Sequence, residues 1–168
     1  MTNIESFTTT HMLAMRIVDS DFADLLRLNQ EPEVAKTMGG TRSEIETREQ
    51  TTRAIDHWKR YGYGLWLFRA REDARFIGRG GLRNVEIDGA REIEIAYAVM
   101  PEFWRRGLAT EMAQAFLDVA AQLGIRNLVA FTLPTNLASR GVMEKVGFRY
   151  ERDIMWANLP HVLYRRKL

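Results

Sequence analysis

One short turn in the sequence carries the residue types that bind an anion. It reads Trp104-Arg105-Arg106-Gly107-Leu108-Ala109-Thr110 and stands between an alternating strand pattern and a helical pattern. The first turn of a helix has unpaired N–H groups and a partial positive charge, and Gly107 and Ala109 allow a ligand close to the backbone. The turn therefore predicts a phosphate site formed by Arg105, Arg106, Gly107, Leu108, Ala109 and Thr110.

Two plainer interpretations of this turn stay open. Gly107 also suits an ordinary strand-turn-helix connection, and on composition alone Arg105 and Arg106 are solvated surface residues. A Walker phosphate-binding loop is excluded, because no Gly-Lys-Ser or Gly-Lys-Thr follows the glycine.

The segments beside the turn show clear hydrophobic periodicity. Before it, apolar residues at 93, 95, 97 and 99 alternate with Glu92, Glu94, Ala96 and Ala98, which predicts a strand ending at Pro101. After it, apolar residues recur at helical spacing from Ala109 to Gly124. A buried strand at 127–133 and a short helix at 136–146 follow.

The remaining elements complete a mixed α/β chain. The pattern predicts a first strand at 13–18, then two helices, of which the second opens with the capping box Ser43-Glu44-Ile45-Glu46. Strands at 64–70 and 75–85 precede an Asp88-Gly89 turn, and strands at 148–156 and 162–166 close the chain. The predicted order is β-α-α-β-β-β-α-β-α-β-β in a single domain, residues 1–168.

Two blocks of this sequence resemble the GNAT superfamily of N-acetyltransferases, in particular the branch of ribosomal-protein N-terminal acetyltransferases. The family's pyrophosphate pattern, Gln/Arg-x-x-Gly-x-Gly/Ala, matches residues 104–109, except that Trp104 stands at its first position. The family's Asn-x-x-Ser…Glu-Lys-x-Gly-Phe block matches 136–148. The resemblance covers nearly the whole chain and implies a GNAT-like fold with a mostly antiparallel sheet of about seven strands and four helices.

The resemblance implies that acetyl-CoA is the co-substrate. The main chain around Tyr97 and Val99 is then expected to bind the pantetheine arm like an added strand, and the turn at 105–110 to bind the pyrophosphate. Asn136 is expected to bind the pantetheine or its phosphate. Asn136 and Ser139 are also ordinary residues for the start of a helix, so capping is the alternative role for both.

The resemblance also suggests the groups that move protons. Glu94 matches the strand position at which several relatives carry a catalytic base, although it also suits the polar face of a half-exposed strand, and a water relay is an alternative. Many relatives use a tyrosine as the acid, and Met143 stands at that position here. Ser139 is therefore the candidate acid or thiolate-stabilising donor.

The bulk composition is that of a soluble globular protein. The net charge is +2 with both signs interleaved, and no stretch is long and apolar enough to span a membrane, so neither nucleic acid nor a membrane is an expected partner. The absence of cysteine suits a cytoplasmic location. The histidines at 11, 57 and 161 show no metal-ligand spacing, and no metal is expected.

These observations predict an acetyl-CoA-dependent N-acetyltransferase that acts as a monomer or homodimer by direct transfer to a primary amine. The acceptor is either a protein N-terminus or a small-molecule amine, and the sequence does not choose between them. Trp66, Trp156 and Tyr164 are candidates for lining its pocket, with a role in the core as the alternative. The competing function is a non-catalytic acyl-CoA-binding module that regulates a partner.

Overall fold

The computed structural model describes residues 4–168, which form eight strands and five α-helices. The strands are β1 (Ser6–Thr8), β2 (Met12–Arg16), β3 (Leu65–Ala70), β4 (Phe76–Ile87), β5 (Ala90–Val99), β6 (Asn127–Thr132), β7 (Arg149–Trp156) and β8 (Leu159–Lys167). The helices are α1 (Phe22–Gln30), α2 (Pro32–Ala35), α3 (Glu44–Tyr61), α4 (Leu108–Gln122) and α5 (Leu137–Lys145).

All eight strands belong to one sheet, in the order β1-β2-β3-β4-β5-β6-β8-β7. Every neighbouring pair is antiparallel except β5 and β6, which are parallel and are connected through α4. A parallel pair needs a crossover, and the helix predicted after the turn at residue 107 supplies it. The predicted mixed α/β fold with a mostly antiparallel sheet is confirmed.

Two short elements were not predicted, because neither is long enough to show a period. β1 has three residues and pairs with β2, and its Phe7 packs edge-on against Trp66 and Phe68. α2 is a single turn with Pro32 at its first position and Glu31 as its cap. They raise the numbers to eight strands and five helices, against about seven and four expected.

Local signals set two other boundaries as predicted, whereas the first predicted strand, 13–18, is Met12–Arg16 and the last, 162–166, begins at Leu159. Ser43 and Glu46 form a reciprocal capping box at the start of α3, and Gly62 ends that helix with a φ of 72°. Asp88 and Gly89 have φ values of 49° and 80°, the left-handed pair that a tight hairpin between β4 and β5 requires.

The two faces of the central strands have different neighbours. Side chains alternate along a strand, and residues opposite each other in the register share a face. Gly80 lies on the face that packs against Phe116 of α4, which we call the helix face. Arg79 and Arg83 lie on the other face of β4, together with Glu94 opposite Arg83 on β5, and we call this the arginine face.

The contact between Gly80 and α4 predicts a specific sensitivity to substitution. A Cβ atom at Gly80 would lie 2.8 Å from the Phe116 ring and 2.7 Å from the Ala96 carbonyl oxygen. We expect Gly80→Ala to lower the free energy of unfolding by about 1–3 kcal/mol through overpacking. Gly141→Ala is the matched control, because Gly141 lies within α5 with open space around it and should be neutral or stabilising. Equal denaturation midpoints for the two variants would contradict the close packing of α4.

Candidate active site

The parallel strands β5 and β6 meet at one point and then separate. Their register contains the single pair Glu94–Val129, and Tyr97 and Val99 lie further along β5. Met100 N–H donates to Ile77 C=O of β4, and backbone groups alternate in direction along a strand. The N–H and C=O groups of Tyr97 and Val99 therefore point away from β4, into the gap on the β6 side. This is the edge at which an extended ligand could add as a strand.

The far end of this gap leads to the predicted anion-binding turn. Arg105 and Gly107 both have left-handed backbone conformations, with φ values of 60° and 74°. The first helical hydrogen bond of α4 runs from Glu111 N–H to Gly107 C=O, at 3.0 Å. The amides of Leu108, Ala109 and Thr110 consequently have no intrahelical acceptor, as at any helix start. Alternating left-handed residues before free amides form a concave site suited to an anion.

The side chains of the turn have separate roles. Leu108 is buried and anchors the start of α4, whereas Arg105 and Arg106 are exposed and the Arg106 guanidinium lies over the Phe103 ring. The Trp104 indole N–H donates to the Val99 carbonyl oxygen at 2.7 Å. The residue that departs from the family pattern thus ties the turn to the end of β5.

Asn136 and Ser139 lie across the gap, at the start of α5. Asn136 is the N-cap: its side-chain oxygen accepts from Ser139 N–H at 3.2 Å, and its amide nitrogen donates to Thr132 Oγ1 at 2.9 Å. The Ser139 hydroxyl does not cap the helix. It lies 3.1 Å from the Tyr97 hydroxyl, which therefore bridges β5 and α5. Burial raises the pKa of Tyr97 to about 12, so this phenol is neutral and remains a proton donor at physiological pH.

Glu94 sits at the point where the two strands separate. It is 3% exposed, so it does not belong to the half-exposed polar strand face considered as its alternative role. Its Oε2 accepts from Arg83 Nε at 2.5 Å, and the carboxylate raises the pKa of Arg83. Among the side-chain nitrogen and oxygen atoms of residues 4–168, only Asn29 Oδ1 is both buried and without a hydrogen-bond partner. The second Glu94 oxygen makes no hydrogen bond within residues 4–168, and it is not fully enclosed, although the side chain as a whole is only 4% exposed.

Two segments border the arginine face around Glu94. The loop at 36–43 carries Gly39, where a Cβ would lie 2.9 Å from Leu159 Cδ1, so the loop touches the start of β8. Trp156, at the end of β7, packs on Phe131 with ring centroids 4.8 Å apart. The loop and the β7–β8 hairpin thus define a candidate acceptor cleft.

The other aromatic residues considered for this cleft lie elsewhere. Trp66 and Tyr164 are fully buried in the core, and only Trp156 borders the cleft. Met143, at the position of the usual catalytic tyrosine, is also a core residue and is 2% exposed. Residues 4–168 contain no cluster of His, Cys, Asp or Glu able to hold a metal ion, and none of their helices is long and apolar enough to cross a membrane.

Sequence reasoning missed Arg83, which is bonded to Glu94, and Arg79, which shares the arginine face with it. Their spacing of four residues in a strand places both on one face, and that signal was available in Gly78-Arg79-Gly80-Gly81-Leu82-Arg83. The charge of Arg42, in the loop at 36–43, also acts on Arg79. No periodicity indicates this third arginine, because the loop reaches the sheet only in the folded protein.

Comparison with known proteins identifies the family. A family model described as acetyltransferase (GNAT) domain matches residues 13–149. The chain is 31% identical to the uncharacterized protein YkkB of Bacillus subtilis, over 98% of both chains. It therefore belongs to the GNAT family and is an acetyltransferase.

Solved structures show the same fold. A putative GNAT-family acetyltransferase from Bordetella pertussis superimposes with a TM-score of 0.85 at 22% identity, over 96% of this chain and 98% of that one. RimL, a ribosomal L7/L12 alpha-N-protein acetyltransferase solved in complex with coenzyme A, superimposes with a TM-score of 0.80 at 21% identity, over 98% of each chain.

The turn at Gly107 yields a prediction with a close control. Gly107 and Gly124 have φ values of 74° and 73°, both have open space where a Cβ atom would stand, and they lie at the two ends of α4. Alanine should therefore strain both backbones equally, at about 1–2 kcal/mol. We expect only Gly107→Ala to weaken acetyl-CoA binding, by about tenfold or more, because only there would a Cβ separate the ligand from the amides. Calorimetry that gives both variants the same affinity would contradict a pyrophosphate site in this turn.

Proposed function

We propose that this protein is an acetyl-CoA-dependent N-acetyltransferase that transfers the acetyl group directly to a primary amine. The observation that carries the proposal is the gap between β5 and β6, which opens at Glu94 and leads to the free amides at the start of α4. The neighbour RimL is named as an alpha-N-protein acetyltransferase. That name supports an amine acceptor here, either a protein N-terminus or a small molecule.

The residues around the gap suit acetyl-CoA. The backbone groups of Tyr97 and the N–H of Val99 would pair with the amides of the pantetheine arm, as in strand addition, since the Val99 C=O already accepts from the Trp104 indole. The amides at 107–110, together with Arg105 and Arg106, would bind the pyrophosphate. Asn136 already uses its oxygen to cap α5, so its contribution would come from the remaining N–H of its side-chain amide.

Glu94 is the base in this proposal. An ammonium has no lone pair, so the acceptor must lose a proton before its nitrogen attacks the thioester carbonyl. The Glu94 oxygen that is not bonded to Arg83 would take that proton, directly or through one water. The C–N bond then forms, the C–S bond breaks and CoA leaves as a thiolate, while the nitrogen releases its second proton to water as the amide forms. Arg83 would hold the carboxylate in position through its other oxygen.

Ser139 is the proposed donor to the leaving thiolate. Its hydroxyl lies on α5 beside the gap and is held by the Tyr97 hydroxyl. A thiol with a pKa near about 8.5 leaves without full protonation, so a hydrogen bond to sulfur is sufficient. Met143 is unsuited to donate, because its side chain is buried in the core.

Thiol release from acetyl-CoA, measured with a panel of peptides and small amines, tests the proposal. Amine-dependent release with formation of the acetylated product is the expected result. Binding of acetyl-CoA without turnover of any amine would instead favour the non-catalytic acyl-CoA-binding module.

The proposed base predicts a pH-dependent defect. Glu94→Gln should lower kcat/KM by about 100-fold or more at pH 7, and the loss should shrink as the pH approaches the pKa of the acceptor amine, which then deprotonates unaided. Glu92→Gln is the control, because Glu92 also pairs with an arginine, Arg165, but lies two residues before the strands separate. If both variants had wild-type rates at every pH, Glu94 would be a structural partner of Arg83 alone.

The proposed donor predicts a smaller effect. Ser139→Ala should slow turnover only a few-fold, because a thiolate leaves readily, and should leave acetyl-CoA affinity unchanged. Steady-state rates and calorimetry on the same preparation separate the two quantities. Complete loss of turnover with intact affinity would make the Ser139 hydroxyl the main catalytic group in place of Glu94.

A further inference from the structure

Arg79 is a guanidinium with no ion-pair partner among the described residues, on the same sheet face as the proposed base Glu94. It lies on the arginine face, opposite Ala98 and one strand away from the gap. Within residues 4–168 it makes no hydrogen bond or ion pair, although its side chain is half-buried. By contrast, the part-buried Arg69 and Arg165 are paired with Asp24 and Glu92.

The charges around Arg79 do not balance. Burial, together with the positive charges of Arg83 and Arg42, lowers the pKa of Arg79 to about 10, and the Glu94 carboxylate opposes this shift. Arg79 remains a cation at neutral pH. Glu94 is the carboxylate that acts on Arg79, and its Oε2 is already bonded to Arg83. Arg42 also interacts with the Glu46 carboxylate. Arg79 and Arg83 therefore share the single negative charge of Glu94, and Arg42 adds a further positive charge on the side of Arg79.

This excess of positive charge is not directed at acetyl-CoA. Side chains on the arginine face point away from α4, whose N-terminal amides form the proposed pyrophosphate site. The arginine face is the one bordered by the loop at 36–43 and the β7–β8 hairpin. It is also the face of Glu94, from which the acceptor amine must approach. The partner that balances Arg79 must therefore arrive with the acceptor.

We propose that Arg79, supported by Arg42, binds an anionic group on the acceptor, so that the substrate is an amine with a carboxylate close to its nitrogen. This rests on the proposed amine acetyltransferase function and narrows its substrate class. A guanidinium presents a planar pair of donors that matches a carboxylate or phosphate and holds it at a fixed distance. Polycationic acceptors such as polyamines are disfavoured, because they meet three arginines.

Two sources of this anion are distinguishable. The first is the α-carboxylate of a free amino acid, and the second is an acidic side chain next to a free peptide N-terminus. Matched acceptors separate them: amino acids against their amides, and C-terminally amidated tetrapeptides with Asp against Asn at the second residue. Spermidine serves as the cationic comparison, and thiol release gives kcat/KM for each.

We expect the wild-type protein to prefer the anionic member of at least one matched pair by about tenfold or more, and expect salt to reduce this preference. Arg79→Gln should reduce the ratio to near unity, Arg79→Lys should retain part of it, and Arg53→Gln, on the exposed surface of α3, should keep it. Thermal unfolding checks that each variant is folded. If Arg79→Gln fails to fold, the test rests on two ratios of kcat/KM, anionic over neutral acceptor. The wild-type ratio must exceed unity, and the Arg79→Lys ratio must be smaller than the wild-type ratio.

The possible failures are distinct. If amines are acetylated but the anionic and neutral members of each pair react equally fast, the proposal of an anionic acceptor is wrong. A preference for spermidine would contradict it in the same way. In both cases the proposed acetyl transfer stands. Absence of turnover with every amine in the panel contradicts the proposed function, and the anionic acceptor with it. A preference that survives Arg79→Gln in a folded protein shows that the anion binds elsewhere.

Discussion

The separation of β5 from β6 beyond Glu94 is the constraint on which the candidate site depends. A parallel pair that continued in register would bond the backbone of Tyr97 and Val99 to β6 and leave no gap. Because β5 and β6 diverge, backbone groups in the middle of the sheet lack a partner strand. The antiparallel strands on either side, β1–β5 and β6–β8–β7, hold the two edges of this gap in place. The Trp104 indole and the Tyr97–Ser139 contact hold this gap at its end and across its width.

Side chains along β5 alternate between the two faces of the sheet, so its residues contact different parts of the site. Tyr97 points to the helix face, where it meets α5, and Glu94 points to the arginine face, where it meets Arg83. Backbone groups point into the gap, in a third direction. One strand can therefore contact a cofactor along its edge and an acceptor from the arginine face without the two competing for space. The two helices that pack on the helix face, α4 and α5, leave the other side of the gap to a loop and a hairpin.

Helix and strand ends that are set by neighbouring residues could be predicted from the sequence. The geometry of the site could be predicted only in part. The capping box at Ser43 and the turn at Asp88-Gly89 fixed their boundaries through nearby residues alone. Counting back from that turn in a regular hairpin places Arg83 opposite Glu94, so this ion pair could have been derived from the sequence. The divergence of β5 from β6 and the approach of Arg42 to Arg79 could not, because both depend on segments that are distant in sequence.

Two energetically unfavourable features of the chain that the fold does not require lie near the gap between β5 and β6. Among residues 4–168, four of the five non-glycine residues with positive φ lie in hairpin turns, where the connection requires them: Ala74, Asp88, Ala157 and Asn158. Arg105 is the exception, since no hairpin requires its conformation, and a strained backbone of this kind costs about 1–3 kcal/mol. Arg79 is a second cost, because its half-buried guanidinium has no hydrogen-bond or ion-pair partner within residues 4–168. Both costs lie beside the gap and on opposite faces of the sheet, which is the pattern expected if one stabilises a bound cofactor and the other a bound acceptor.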